Sequence, residues 1–136
     1  MARYVVLIDQ AEDGAYGVVF PDLPGCTAMG DTVEEALLNA ADAATEWAAE
    51  IRKDGSVPAP RSAAEVIADP ETEEATDAGA VLALVPLILD SGRPAKANLS
   101  IDSGLLDAID EAAKRIGVTR SAYLAAAARN KILHDG

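Results

Sequence analysis

The sequence predicts an α+β protein of two domains, an acidic domain over residues 1–90 and a smaller, mildly basic one over residues 91–136. Three observations lead to this prediction. Strand-like patterns are concentrated before residue 31, and helical patterns dominate after it. The formal charge is −14 over residues 1–90 and +2 over residues 91–136, so the net charge of −12 is unevenly divided. A chain of 136 residues accommodates a domain of about 90 residues, but the remaining segment is too short to bury a core alone.

The first thirty residues predict a three-stranded antiparallel meander. Residues 4–8 and 16–20 are rich in β-branched and aromatic side chains, and the polar segment between them ends in Asp13-Gly14, so we expect a hairpin. Pro24-Gly25 lies at the centre of a predicted type II turn. Residues 26–30 can then return as a third strand.

A long helix is predicted to begin after Thr32. Thr32 and Glu35 have the spacing of a capping box, and Gly55 marks the end of the helix. Apolar residues recur at the three- and four-residue spacing of one buried helix face: Val33, Ala36, Leu37, Ala40, Ala44, Trp47, Ala48 and Ile51. This face is expected to pack on the sheet.

The opposite face of this helix carries Asp42, Glu46 and Glu50 at i+4 spacing with no basic residue between them. Like charges at this spacing destabilise a helix by roughly 0.2–0.5 kcal/mol per pair. Two interpretations are open: these acids form a docking surface for a cationic partner, or they are an ordinary solvated face.

The rest of the acidic domain predicts a short helix and a final strand. Ser62 and Glu65 have capping-box spacing, and Asp69-Pro70 is expected to end the helix that they begin. Residues 71–79 are acidic and predicted to be a loop. Residues 80–89 form an apolar run of strand length, but Pro86 lacks a backbone donor, so we expect an edge strand or a bulge. The predicted order is β-β-β-α-(α)-β.

The basic domain begins with an alternating segment over residues 94–102, which predicts a short amphipathic strand. Ala97, Leu99 and Ile101 point one way, whereas Lys96, Asn98 and Ser100 point the other way. One strand has no sheet partner within this domain. The simplest closure is a twofold homodimer in which two such strands pair antiparallel.

Two helices follow this strand. Asp102 or Ser103 caps the first, which ends at Gly117, and Thr119 caps the second, which runs to about residue 133. Two i+4 ion pairs are expected on the first helix: Asp110 with Lys114, and Glu111 with Arg115.

This order of elements resembles the ribbon-helix-helix family of bacterial repressors, in which paired strands enter the major groove of DNA. The resemblance implies base readout by Lys96, Asn98 and Ser100. Their chemistry suits that role, because Lys donates to guanine and Asn pairs bidentately with adenine. The alternative is that these three residues are only the solvated side of an edge strand.

The same resemblance implies a phosphate contact at the start of the second helix. Thr119, Arg120 and Ser121 lie there, where unpaired N–H groups and the helix dipole attract an anion.

The acidic domain has a family resemblance of its own. Residues 16–26, which read YGVVFPDLPGC, and the Gly30-Asp31-Thr32 segment leading into Glu34-Glu35-Ala36 are similar to the HicB antitoxin family. Members of that family have a degenerate ribonuclease-H-like body and either a helix-turn-helix or a ribbon-helix-helix tail. The resemblance implies an antitoxin that masks a HicA-type toxin, a small basic mRNA-cleaving protein, and represses its own operon.

The position of the toxin contacts is predicted from charge, since the resemblance does not fix it. We expect them on acids and turn residues of the first domain: Asp22, Leu23, Asp31, Asp42, Glu46 and Glu50. A charge of −14 beside the DNA-binding domain opposes approach to phosphates. A basic toxin that cancels this charge should therefore strengthen operator binding.

Two other functions remain as alternatives. An active nuclease would need clustered carboxylates for two metal ions, and Asp9 ends the first strand where one could lie, but the other acids are not predicted to converge on it. The second alternative is a stand-alone repressor whose acidic domain senses a small ligand.

The remaining residues indicate no catalytic group, metal site or cofactor. His134 lies near the C-terminus, and Cys26 is a single cysteine with no base nearby. The N-terminus lacks a signal-peptide pattern, and the longest apolar run is too short to span a bilayer. We therefore predict a cytoplasmic protein without a membrane segment.

Overall fold

The computed structural model describes residues 1–135, which form two compact units, Met1–Leu89 and Asp90–Asp135. The first unit contains four strands and three helices: β1 Ala2–Gln10, β2 Tyr16–Val19, β3 Thr27–Gly30, α1 Val33–Ile51, α2 Ala63–Ile67, α3 Pro70–Asp77 and β4 Val81–Leu87. The strands form one antiparallel sheet in the order β3-β2-β1-β4. The predicted meander is confirmed. Pro86 lies in an edge strand, where a missing backbone donor is tolerated.

Helix α1 packs closely on the sheet because its buried residues are small. Ala36, Ala40, Ala44 and Ala48 are fully buried. Gly30 at the end of β3 lies directly under the start of the helix, since a Cβ atom there would be 2.4 Å from the backbone nitrogen of Ala36. The Thr32 hydroxyl accepts the Glu35 N–H at 3.1 Å, as the capping pattern predicts. Three large residues, Val6, Val18 and Phe20, complete the centre of this core.

Residues 70–77 form a helix, so the prediction of a loop over residues 71–79 is wrong. Asp69 caps this helix by accepting the Glu71 N–H. Pro70 occupies the first turn, where a backbone N–H group would have no acceptor within the helix, so the lack of this group in proline costs no hydrogen bond. The prediction failed because Asp-Pro was interpreted only as the end of α2. The same dipeptide is also a start signal, and here it is both.

The second unit contains α4 Ser103–Ile116 and α5 Arg120–Asp135. Asp102 caps α4 through the N–H groups of Gly104 and Leu105, and Gly117 ends it at φ 76°. Residues 94–102, predicted to be a strand, form neither strand nor helix in the described chain. A strand needs a neighbour to receive its backbone hydrogen bonds, and this unit contains none.

The core of the second unit is thin. Among its described residues, only Ile109 and Ala113 are buried apolar side chains. Large apolar side chains remain exposed in the single chain: Leu99 at 66 %, Leu105 at 56 %, Ile116 at 64 % and Val118 at 41 %. Exposed apolar surface of this kind is typical of a surface that binds another molecule.

Candidate functional site

The acids on α1 form an exposed stripe, defined here as Asp42, Glu46 and Glu50. Glu50 pairs with Lys53 at 2.8 Å, but both side chains are more than two-thirds exposed, so solvent screens this pair. Within residues 1–135, neither Asp42 nor Glu46 makes a side-chain hydrogen bond or ion pair. Asp31, just before the helix cap, is also exposed. The stripe is therefore accessible to a cationic partner.

Asp22 and Leu23 are predicted partner contacts as well, but the side chains of both residues are buried. Leu23 is 0 % exposed, and the Asp22 side chain is 6 % exposed. Asp22 accepts the backbone N–H of Arg61 at 2.8 Å and the Nε–H group of Arg61 at 2.6 Å. These contacts hold the connector after α1 against the turn after β2. The structure thus gives Asp22 and Leu23 a packing role, unlike the exposed acids.

Arg61 is the centre of a small ion network. Its guanidinium group also contacts Asp69 at 3.1 Å, so that it bridges two carboxylates. The hydrogen bond from Arg61, followed by that from the Glu71 backbone, holds the pKa of Asp69 below its usual value. The hydrogen bonds to Asp22 and Asp69 raise the pKa of Arg61. The network keeps α3 and the connector together.

A cavity of about 260 Å³ opens beside this network. We call it the α3 cavity. Its lining comes from β1, from β2 and the turn after it, from the connector, and from the α3 region: Leu7, Asp9, Val19, Pro21, Arg61, Asp69, Glu71, Thr72, Ala75 and Ala80. No sequence motif marked this site, because its residues come from segments up to about 70 positions apart. Within residues 1–135 no three potential metal ligands converge, so Asp9 lacks the neighbours that a two-metal nuclease needs.

In the second unit, the residues predicted to read bases are exposed. Lys96, Asn98 and Ser100 lie in the extended segment before α4. This segment borders a groove of about 500 Å³, lined by Ala97, Leu99, Ser100, Ile101, Leu106, Arg120, Ser121 and Leu124. Ala97, Leu99 and Ile101 line this groove, but their predicted alternation with Ser100 does not hold here. Ser100 also lines it, whereas Lys96 and Asn98 lie outside its wall.

The predicted phosphate contact at the start of α5 is already occupied in part. Arg120 forms a two-bonded ion pair with Asp110 at 2.8 and 2.7 Å, and the Thr119 hydroxyl accepts the Ala122 N–H as the helix cap. The predicted Asp110–Lys114 pair is replaced by this contact, which lowers the pKa of Asp110 and raises that of Arg120. A phosphate would have to compete with Asp110 for the guanidinium group.

The remaining candidate reactive groups are Cys26 and His134. Cys26 is buried, and burial raises the pKa of its thiol, which disfavours the reactive thiolate. His134 is exposed near the end of α5. Among residues 1–135, none of the helices is long and apolar enough to span a membrane.

Comparison with known proteins places nearly the whole chain in one group. A family model described as the HicB-like antitoxin of bacterial toxin–antitoxin systems matches residues 4–128. The chain is 31 % identical to an uncharacterised 14.9 kDa protein of Haemophilus phage HP1, over 96 % of this chain and 97 % of that protein. Among solved structures, the Burkholderia pseudomallei antitoxin HicB matches with a TM-score of 0.56 and 32 % identity, covering 94 % of this chain and 96 % of that one. A chain from a HicA3–HicB3 toxin–antitoxin complex matches with a TM-score of 0.51 and 27 % identity, covering 63 % of this chain and 98 % of that one.

Proposed function

The chain belongs to the HicB-like antitoxin family, and from this membership we propose that it neutralises a HicA-type mRNA-cleaving toxin and represses its own operon. The observation that carries the proposal is the exposed acidic stripe on a unit that is strongly negative. Its carboxylates are available to a basic toxin, because within the described chain only Glu50 contacts a cation, the exposed Lys53. A similar solved structure is itself part of a HicA3–HicB3 complex, which supports a toxin partner.

The proposed toxin face consists of Asp31 and the acidic stripe. Helix α1 presents the stripe from a rigid position, because its opposite side is buried on the sheet through alanine contacts. Because the helix backbone is already ordered, a partner that binds the stripe restricts only the side chains, which favours correct orientation. Asp22 and Leu23 contribute indirectly, by holding the adjoining turn in place.

The test requires a HicA-type toxin, which we expect to be a short basic protein encoded beside this chain. Reversing Asp42, Glu46 and Glu50 to Lys should weaken toxin binding at least tenfold in calorimetry and restore toxin-dependent RNA cleavage. The control reverses Glu12, Asp54 and Glu74, which are three exposed acids of the same unit outside the stripe, and should bind nearly as the unmodified chain does. Unchanged binding by the stripe variant would remove α1 from the interface. Failure of the unmodified chain to bind any such protein would contradict the antitoxin function.

The proposed operator-binding region is the second unit, as a ribbon-helix-helix dimer. Two chains would pair through residues 94–102, which supplies the missing strand partner and covers exposed apolar residues such as Leu99. Lys96, Asn98 and Ser100 would face the bases. The first unit, with its meander followed by a helix, is in this proposal the degenerate ribonuclease-H-like body that the family resemblance implies.

Operator binding is tested with a mobility-shift assay on the chain's own upstream DNA. Lys96→Ala and Asn98→Ala should each reduce the difference in binding free energy between operator and altered DNA by about 1–3 kcal/mol. Lys114→Ala removes an exposed charge from α4 and serves as the control, with a much smaller effect on discrimination. Added toxin should increase the affinity at fixed salt, since it offsets the negative charge of the first unit. If the chain binds its operator but binds no toxin, the result would instead favour a stand-alone repressor.

A further inference from the structure

The α3 cavity carries an inference that deepens the proposed function and rests on it. We propose that this cavity receives one long basic side chain, lysine or arginine, of the toxin. The contact would be a second point of attachment, separate from the acidic stripe. Three properties of the cavity lead to this occupant: its size, its apolar lining and its unpaired carboxylates.

The size and lining fit an aliphatic stem. The volume of about 260 Å³ is slightly below the roughly 300–1,000 Å³ range of sites for drug-sized molecules. Leu7, Val19 and Pro21 contribute apolar surface to the lining, and Ala75 and Ala80 contribute only small side chains. Val19 is 45 % exposed although it lies in a central strand, so this apolar surface is uncovered in the free chain. The methylene groups of a Lys or Arg side chain can bury against such a surface while the charged end reaches polar groups.

The charges of the cavity favour a cation at the end of that stem. Arg61 already contacts both Asp22 and Asp69, so its positive charge is neutralised within the chain. Asp9 and Glu71 also line the cavity, and within residues 1–135 neither carboxylate accepts a side-chain hydrogen bond or forms an ion pair. An anionic or neutral occupant would leave both carboxylates without a partner. A guanidinium or ammonium group would pair with them and gain charge-assisted hydrogen bonds.

Other cations match less well. A bare metal ion needs several converging ligands, and no group of three exists among residues 1–135. A metal ion would also leave the apolar side of the cavity uncovered. A basic side chain uses both the apolar and the acidic parts, and the negative first unit attracts a basic protein as a whole.

The experiment compares two double variants with equal change of charge. Asp9→Asn with Glu71→Gln removes the cavity carboxylates, whereas Glu12→Gln with Glu74→Gln removes two exposed acids outside the cavity. Calorimetry at fixed salt should show toxin binding weakened about tenfold or more by the cavity pair and less than about threefold by the control pair. Circular dichroism melting verifies that each variant is folded.

A third variant tests the cavity without changing charge. Ala75→Leu enlarges a side chain that lines the cavity together with Leu7 and Val19, and it keeps a good helix former in α3. It should also weaken toxin binding about tenfold. If the unmodified chain binds toxin and neither cavity variant differs from the control pair, the proposal is overturned and the antitoxin function stands.

A small probe separates the two proposals if the unmodified chain binds no toxin. Butylguanidinium, titrated into the isotope-labelled chain, should shift the amide signals of Thr72 and Ala75, and the Asp9→Asn, Glu71→Gln variant should show no such shift. Guanidinium without the butyl group should bind more weakly, because it cannot use the apolar lining. Absence of shifts in the unmodified chain would overturn the cavity's cation preference.

Discussion

Replacing Gly30 with Ala should destabilise the first unit strongly. The added Cβ would lie 2.4 Å from the nitrogen and 2.8 Å from the Cα of Ala36, about 1.0 and 0.6 Å closer than the 3.4 Å at which ordinary contact begins. Both neighbours are backbone atoms, so α1 itself must move. Overpacking costs roughly 1–3 kcal/mol, and we expect the upper part of this range because no flexible side chain can yield. For a unit of about 90 residues, about 3 kcal/mol lowers Tm by roughly 12–24 °C.

The fluorescence of Trp47 reports this unfolding, since its indole N–H donates to the Pro24 carbonyl at 3.1 Å and senses the contact of α1 with the turn. Gly55→Ala is the matched control. A Cβ at Gly55 finds its nearest atom at 4.0 Å, so this variant should stay within about 0.5 kcal/mol of the unmodified chain. Equal urea midpoints for the two variants would refute the close packing of α1 on β3.

Three further predictions concern hydrogen bonds, pH and assembly. Asp22→Ala leaves the Arg61 amide without its acceptor and should cost about 1–3 kcal/mol in urea unfolding, more than Asp54→Ala at an exposed turn. Because folding lowers the pKa of Asp69 below its ordinary value of 3.8, the ionised carboxylate stabilises the folded state at pH values above 3.8. This contribution is lost as the pH falls through the lowered pKa. Asp69→Asn, which can still cap α3, should therefore flatten the acid limb of a stability–pH curve; an unchanged limb contradicts the ion-pair assignment. Leu99→Glu should shift the chain from dimer to monomer in light scattering by placing a charge on the proposed pairing strand, and an unchanged mass would exclude that surface.

The parts of the fold that could be predicted from sequence depend on short-range signals. Alternating apolar residues, the Thr32 cap and the Gly117 stop each act within a few residues, and the structure confirms all three. Pro86 was placed correctly because its missing donor restricts it wherever it occurs in a sheet. Helix α3 was missed because one dipeptide, Asp69-Pro70, carries two local meanings.

The parts that could not be predicted depend on residues far apart in sequence. Asp22 has the appearance of an exposed turn residue, but it is buried by a connector 39 positions later. Asp110 has a suitable partner four positions away and pairs instead with Arg120 across the turn between α4 and α5. Residues 94–102 alternate correctly for a strand, but alternation does not supply the neighbour that a strand requires. The same limit applies to the α3 cavity, whose walls come from four separate segments.

The long segment between β4 and α4 has a consequence for the lifetime of the protein. Residues 89–100 are all exposed, and residues 88–102 contain no helix or strand, so a protease can bind this backbone in extended form. Pairing of two chains through residues 94–102 would shield part of the segment. Because pairing increases with concentration, dilute chains would be cut faster than abundant ones. Cleavage there would separate the acidic unit from the basic one, so the fraction of intact protein would depend on how many chains are paired.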